Sequence, residues 1–390
     1  MSRQFFVKRR QLLSLTWMGW LIALLLVGCD RSPQTAAEIR IGLIAPFNGK
    51  AEETTGKPTV NGAELAIAEL KKTGGLKING EEQKIVLIIK DNRDNPDEAV
   101  AVATELINQE KVVAIVGVPR SRSAIPVANI TERSGIPLIS STSTHPDTTA
   151  NKKYAFRLAY TNEIEAQVIA SFASKNLGIK KAAVLYDIAS DYNRNLAETF
   201  KEKFEALKGE IVAYEAYTTD LQTFTSQLET IRESQAELVF LPNYAEEVVK
   251  QAREIKNMGL EVKLIGGDSW GAIGEENYSY LEGGFFAEVW TEDIPNAATK
   301  DFVELYTRVY GEKPNANAAL TYDAINLIAE AIKNKNKAAP ESIRNGLAEI
   351  TNYEGVSGNI SYQNSGDPVK GVILLKIENG QRVFYEQVEP

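Results

Sequence analysis

From residue 38 the chain alternates short apolar runs with segments whose apolar residues recur at helical spacing. The apolar runs fall at 38–46 (EIRIGLIAP), 84–92 (KIVLIIKDN), 112–117 (VVAIVG) and 136–140 (IPLIS). A second series follows at 181–187 (KAAVLYD), 210–217 (EIVAYEAY), 237–242 (ELVFLP) and 262–267 (VKLIGG). Near-continuous runs rich in Val, Ile and Leu are what strands buried on both faces require. Between them, NGAELAIAELKK (61–72), AQVIASFASKN (166–176) and AEEVVKQAREIKNMG (245–259) predict amphipathic helices. Asn95-Pro96-Asp97-Glu98 predicts a helix start, with an Asn cap, Pro in the first turn and an acid three residues on. This alternation predicts parallel sheets covered by helices, and two such series predict two similar α/β domains. No Pro-, Gly- or Ser-rich linker separates the series, which favours a hinge over independent beads. Residues 296–311 and 319–334 read as helical, and 356–386 as antiparallel strands with Gly, Asn and Asp turns.

The N-terminus follows a different pattern. Residues 1–11 are basic and 12–28 are apolar, ending in Leu26-Val27-Gly28-Cys29. That ending resembles the lipobox of a bacterial lipoprotein, which implies a signal peptide at 1–28, acylation of Cys29 and a tether at 29–37. An uncleaved membrane anchor is the alternative, because the apolar run is nearly long enough to span a bilayer. Lipidation at Cys29 would anchor the chain on the extracytoplasmic side of a bacterial envelope. Several acyl chains hold firmly where one is marginal.

Composition narrows the chemistry. The formal charge is −9, and losing the four positive charges of residues 1–28 leaves −13. So acidic a chain has little electrostatic reason to bind nucleic acid, and the densest positive run, KNKNK (333–337), reads as a solvated loop. Cys29 is the only cysteine and His145 the only histidine. Disulfides, thiol catalysis and most zinc constellations are therefore excluded, and no cofactor is expected.

Candidate chemistry lies where strands end, since ligands of open parallel sheets bind beyond the carboxyl ends of the strands. VPRSRSAIP (118–126) puts Ser121 and Ser123 at a helix start, which is either an anion site or a plain helix cap. Five consecutive hydroxyl residues, Ser140 to Thr144, follow IPLIS. In the second series, equivalent positions carry Asp187, Tyr192, Tyr244, Asp268 and Trp270. Hydroxyls facing an acid and tyrosines suit a small zwitterion, although each tyrosine taken singly also fits a structural role. GDSWG (267–271) matches the G-x-S-x-G pattern of a serine hydrolase, with Ser269 as nucleophile. In that fold the histidine follows the serine, and no histidine follows residue 145 here.

Several stretches together resemble the type I periplasmic binding proteins, in the branch of the Leu/Ile/Val-binding proteins. They are IGLIAPFNGK, VVAIVGVPRSRSAIPVANITERSGIPLISSTSTHP, VLYDIASDYNRNLAETF and LPNYAEEVVKQAREIKNMGLEVKLIGGD. The likeness runs from about 38 to 385. It implies two doubly wound parallel-sheet lobes joined by a three-crossover hinge, with lobe 1 at 38–160 and 291–355 and lobe 2 at 161–290 and 356–390. It also implies a binding protein rather than an enzyme. Such a protein captures a small amino acid, neutral or aliphatic, and passes it to the permease and ATPase subunits of an ABC importer. Receptors for amides or urea, and ligand-sensing lipoproteins, are the alternatives within this scaffold.

The resemblance places the α-carboxylate on Ser121, Thr144 and the Thr142 main chain, the α-ammonium on Asp268, and Tyr192 and Tyr244 over the ligand. Thr55, Pro119, Arg120 and Trp270 become candidates for specificity. Arg120 would either admit an acidic or polar side chain or point to solvent.

Overall fold

The computed structural model describes residues 38–363 and 365–388. Cys29, the signal segment 1–28 and the tether 29–37 lie outside them. The first sheet comprises β1 (Glu38–Ala45), β2 (Leu76–Ile78), β3 (Glu81–Asp91), β4 (Ala114–Gly117), β5 (Leu138–Ser140) and β6 (Ala155–Arg157). Its order is β2-β3-β1-β4-β5-β6, parallel throughout except for β2, the antiparallel hairpin partner of β3. Helices α1 (Lys57–Lys72), α2 (Pro96–Asn108) and α3 (Ser121–Ser134) connect these strands. Asn95 caps α2 as its sequence predicts, its side chain accepting from the N–H groups of Asp97 and Glu98.

The second half opens with α4 (Asn162–Ser171). It continues as β7 (Lys181–Asp187), α5 (Asp191–Ala206), β8 (Glu210–Tyr217), α6 (Thr225–Glu233), β9 (Leu238–Leu241), α7 (Ala245–Asn257), β10 (Lys263–Gly266) and β11 (Phe285–Glu288). The chain then returns to the first half for α8 (Ala297–Tyr310), α9 (Ala316–Lys335), α10 (Pro340–Ala348) and the small hairpin β12 (Tyr353–Gly355) and β13 (Gly358–Ile360). It ends in β14 (Val372–Glu378) and β15 (Gln381–Val388), which extend the second sheet as β15-β14-β11-β10-β9-β7-β8. β14 and β15 pair antiparallel and the other strands of that sheet parallel.

The central strands of each sheet are buried on both faces, which is why they read as unbroken apolar runs. α1 lies so close to α9 that a Cβ on Gly62 would sit 2.2 Å from the Ala318 carbonyl oxygen. One apolar cluster joins α1, α9, α4 and α5, while α2 with α3 and α6 with α7 cover the opposite faces of their sheets.

Three passages join the lobes, after β6, after β11 and before β14. The third falls later than the 356 boundary expected from the sequence. Tyr362 packs edge-on against Phe156 of β6 with ring centroids 5.1 Å apart. The Arg157 N–H donates to Gly366 at 2.9 Å, and Thr149 donates to Asp367 at 2.6 Å. The β12–β13 hairpin and its continuation through Asp367 therefore stay with the first lobe. Among the described residues, no helix is long and apolar enough to cross a membrane.

Candidate functional site

The carboxyl ends of both sheets line one partly enclosed cleft. Thr55, Pro119, Arg120, Ser121, Thr142, Thr144, Asn315, Ala316 and Asn317 form the first-lobe wall. Tyr192, Tyr244, Ala245, Asp268, Ser269, Gly271, Ala272, Glu288 and Val289 form the second.

A sharp turn after β4 builds the first wall. Gly117 and Val118 both have left-handed backbone, at φ +93° and +45°. A Cβ on Gly117 would meet the Ile44 carbonyl oxygen at 2.6 Å. A β-branched residue at positive φ is strained, and such strain persists only where neighbours fix it. Here Val118 N–H donates to Ile44 at 2.8 Å and Ser140 Oγ donates to Val118 at 2.9 Å. The turn delivers Ser121 to the first position of α3, a helix without a side-chain cap, so plain capping is not what Ser121 does. Among the described residues, no backbone carbonyl takes the N–H of Ser121 or Arg122.

Ser121 Oγ accepts from Ser143 Oγ at 2.9 Å and from the His145 N–H at 3.3 Å. With both acceptor positions used, its own proton is free to donate into the cleft. Thr144, also buried, lines the cleft beside it. Free N–H groups at a helix start, with hydroxyl protons, form an anion site.

The opposing wall concentrates acids. Asp268 opens a single-turn 3₁₀ segment (Asp268–Ala272) after β10. Its Oδ1 accepts from Tyr192 Oη at 2.8 Å, and its N–H donates to Glu165 Oε1 at 2.6 Å. Asp268 remains partly accessible only through the cleft and is otherwise surrounded by protein, so burial pushes its carboxyl up to about 6 against the hydrogen bonds that favour the charged form. Burial drives Glu165 upward as well, with the Asp268 charge adding to it, and pushes Glu288 up to about 8. Of the two acids that line the cleft, Asp268 is therefore the one that carries charge at neutral pH. A fixed carboxylate there, facing the hydroxyl and N–H wall, matches the two ends of a zwitterion.

Arg120 neither faces solvent nor offers a free charge to a ligand. It crosses the cleft mouth and pairs with Glu246 of α7 through two hydrogen bonds, at 2.6 and 3.0 Å. It also pairs with Asp94 at 2.7 Å, and Arg122 shares that acid. The Tyr244 ring lies 4.4 Å beneath the Arg120 guanidinium and stacks on Tyr192 at 5.1 Å. Tyr244 thus plugs the seam between lobes, its own hydroxyl buried without a hydrogen-bond partner among the described residues. Trp270 does not reach the cleft: it is fully buried, and its indole N–H donates to Leu241 at 3.1 Å. With no side chain on Gly266, the indole can lie against the end of β10. Thr55 and Pro119 line the cleft.

Ser269 has no hydrolase geometry. Its Oγ donates to the Asn243 carbonyl, and His145 Nδ1 is occupied by the Asp147 N–H at 3.1 Å. Sequence reasoning did not single out Glu165, Glu288, Asn315 and Asn317, or the acids Asp94 and Glu246 that hold Arg120. Glu246 stands two residues after Tyr244, in the first turn of α7, which was the one available signal.

Two α/β lobes closed over a cleft that presents hydroxyl and N–H donors to an acid define a ligand receptor. The Periplasmic binding protein family pattern matches residues 38–382, and the chain belongs to that family, in its type I, Leu/Ile/Val-binding branch. Its members are substrate-binding proteins, not enzymes. A Brucella melitensis protein described as Leu/Ile/Val-binding protein homolog 3 is 28% identical over 85% of this chain and 89% of its own. The structure of a leucine-binding protein from Thermotoga maritima superposes with a TM-score of 0.84 at 27% identity, over 90% of this chain and 99% of that one. The branched-chain amino-acid transporter binding protein of Streptococcus pneumoniae, solved with isoleucine, gives 0.83 at 29% identity, over 90% and 100%.

Proposed function

We propose that this protein captures a small neutral amino acid between its lobes outside the cytoplasm and delivers it to an ABC importer, held at the membrane through lipidated Cys29. Opposition across one cleft carries the reading: Ser121 and Thr144 with free helix-start N–H groups on one wall, Asp268 on the other. The α-carboxylate takes the donors, and the α-ammonium takes Asp268. Closure brings Tyr192 and Tyr244 over the ligand and excludes water, which strengthens the ammonium–carboxylate pair. Names of relatives that bind branched-chain amino acids support this class of ligand. Amides, urea and aromatic acids fit less well, because none supplies the cation that Asp268 would need.

A thermal-shift panel of the twenty amino acids, simple amides, urea and benzoates tests this. A true ligand at 100 times its dissociation constant adds about 2.7 kcal/mol. If only the molecules without an ammonium raise the melting temperature, the amino-acid reading is wrong. In the same assay Ser121→Ala should weaken the best ligand by about 1.5–3 kcal/mol, the worth of a hydrogen bond to a charged group. Unchanged affinity would remove Ser121 from the carboxylate site. The anchor is tested separately by growing cells with labelled palmitate. The wild-type chain should carry label and Cys29→Ala should not, and a labelled Cys29→Ala product would rule the anchor out.

A further inference from the structure

An amino acid's ammonium needs one carboxylate from this cleft, and the second wall presents two. Glu288, at the end of β11, lines the cleft and is 1% exposed. Its Oε1 accepts from the Val289 N–H at 2.8 Å, and among the described residues no side chain donates to its carboxyl and no ion pair neutralises it. Arg382 acts on it from farther away and is itself turned to Glu292 at 3.8 Å and to the Gly271 carbonyl at 3.2 Å. The fold makes room for this carboxyl specifically: a Cβ on Gly271 would lie 1.4 Å from Glu288 Oε2.

Resting on the amino-acid reading above, we propose that Glu288 reads a hydrogen-bonding group on the ligand's side chain, so that the cleft selects a small hydroxyl- or amide-bearing amino acid over a branched aliphatic one.

Three observations support it. A buried carboxyl held only by backbone N–H groups keeps acceptor positions that a ligand can fill. The polar side chains of the first wall are committed to protein partners, Thr142 Oγ1 donating to Asn317 Oδ1 at 3.1 Å and Asn315 Nδ2 to the Thr54 carbonyl at 3.0 Å, which leaves Glu288 to meet a polar ligand side chain. Apart from the Tyr192 and Tyr244 rings, the apolar lining is small, namely Pro119, Ala245, Ala272, Val289 and Ala316 beside Gly271, with no Leu, Ile, Phe or Met to enclose a branched hydrocarbon. A dibasic ligand is disfavoured because burial holds Glu288 mostly protonated at neutral pH, where it can both donate and accept.

Threonine and valine are near-isosteres, so their affinity ratio reads the hydroxyl alone. Titration calorimetry on the purified protein should give threonine, or asparagine against leucine, at least tenfold tighter than its apolar counterpart. Sites built to hydrogen-bond a substrate group reject analogues lacking it by far more than a methylene's worth. Glu288→Leu should abolish or reverse the ratio. Glu288→Gln, which keeps a donor and an acceptor, should restore it. Valine equal to or tighter than threonine in wild type overturns the proposal, as does an unchanged ratio in Glu288→Leu or a preference for lysine or ornithine. These wild-type ratios stand even if Glu288→Leu does not fold. Aliphatic preference leaves the amino-acid reading intact, whereas binding of no amino acid at all removes both.

Discussion

Asp268→Ala is expected to lower affinity for the amino-acid ligand by two to three and a half decades. Removing one partner of a buried charge pair strands the other, at about 3–5 kcal/mol. In this cleft the ammonium has no substitute, because the other lining acid, Glu288, is pushed up to about 8 by burial and carries little charge at neutral pH. Calorimetry with the best ligand measures it, and a loss under threefold would reject the assignment.

The same residue sets the pH response. Only the ionised carboxyl pairs with an ammonium, and Asp268 sits at about 6, above its ordinary 3.8. Affinity should be flat above pH 6 and fall about tenfold per pH unit below it. Stability runs the opposite way. A carboxyl whose folded value is raised imposes no penalty below 3.8, a growing one between 3.8 and 6, and its full penalty above. For the closed form that penalty is at most about 3 kcal/mol. Asp268→Asn should therefore raise the melting temperature of the empty protein at pH 7, lose that advantage at pH 3.5, and bind no ligand at either pH. A lower melting temperature at pH 7 would mean that the wild-type carboxylate is not under strain.

Periodicity made the fold legible because buried parallel strands leave little room for polar residues. EIVAYEAY and KAAVLYD match β8 and β7 residue for residue. The β2–β3 hairpin was not read, although Asn79-Gly80 marks it, with φ +53° and +83° in a two-residue turn. Its flanking strand, LKI, is too short to show a period. The third passage was misplaced because Tyr362 and Asp367 bind the first lobe through contacts from distant parts of the chain.

The strand-end rule brought Ser121, Thr144, Tyr192, Tyr244 and Asp268 to one cleft. It could not assign Arg120, whose meaning depends on Asp94 and Glu246, the latter 126 positions away. Nor could it distinguish Trp270 from its neighbour Ser269, since facing the cleft or the core within a 3₁₀ turn depends on backbone rotation. Glu288 was hidden at the end of FFAE, where an acid ending a strand looks like any other solvated residue.

Glu246→Ala should weaken ligand binding without removing any group assigned to the ligand. Closed, Arg120 is 5% exposed, sits between Glu246 and Asp94, and covers Tyr244. Parting the lobes returns Glu246 and the guanidinium to water, so the cost of losing Glu246 falls on the closed form alone. Truncating one side of such a pair costs about 2–5 kcal/mol, expressed mainly in dissociation. A ligand that binds through closure loses affinity in proportion to the lost closed population. The expected weakening is roughly 30-fold or more, carried by the off-rate, with the on-rate within about threefold.

The exposed Lys50–Asp220 pair, also between lobes at 2.8 Å, is the comparison. Asp220→Ala should change affinity by no more than about fivefold, since solvated pairs contribute about 0–1 kcal/mol. Stopped-flow mixing with the best ligand separates the two rates. If Glu246→Ala slows association and leaves dissociation unchanged, Glu246 steers the ligand electrostatically and does not latch the lobes. If Asp220→Ala matches it in size, general charge across the seam governs closure, and the buried geometry of Arg120 adds nothing.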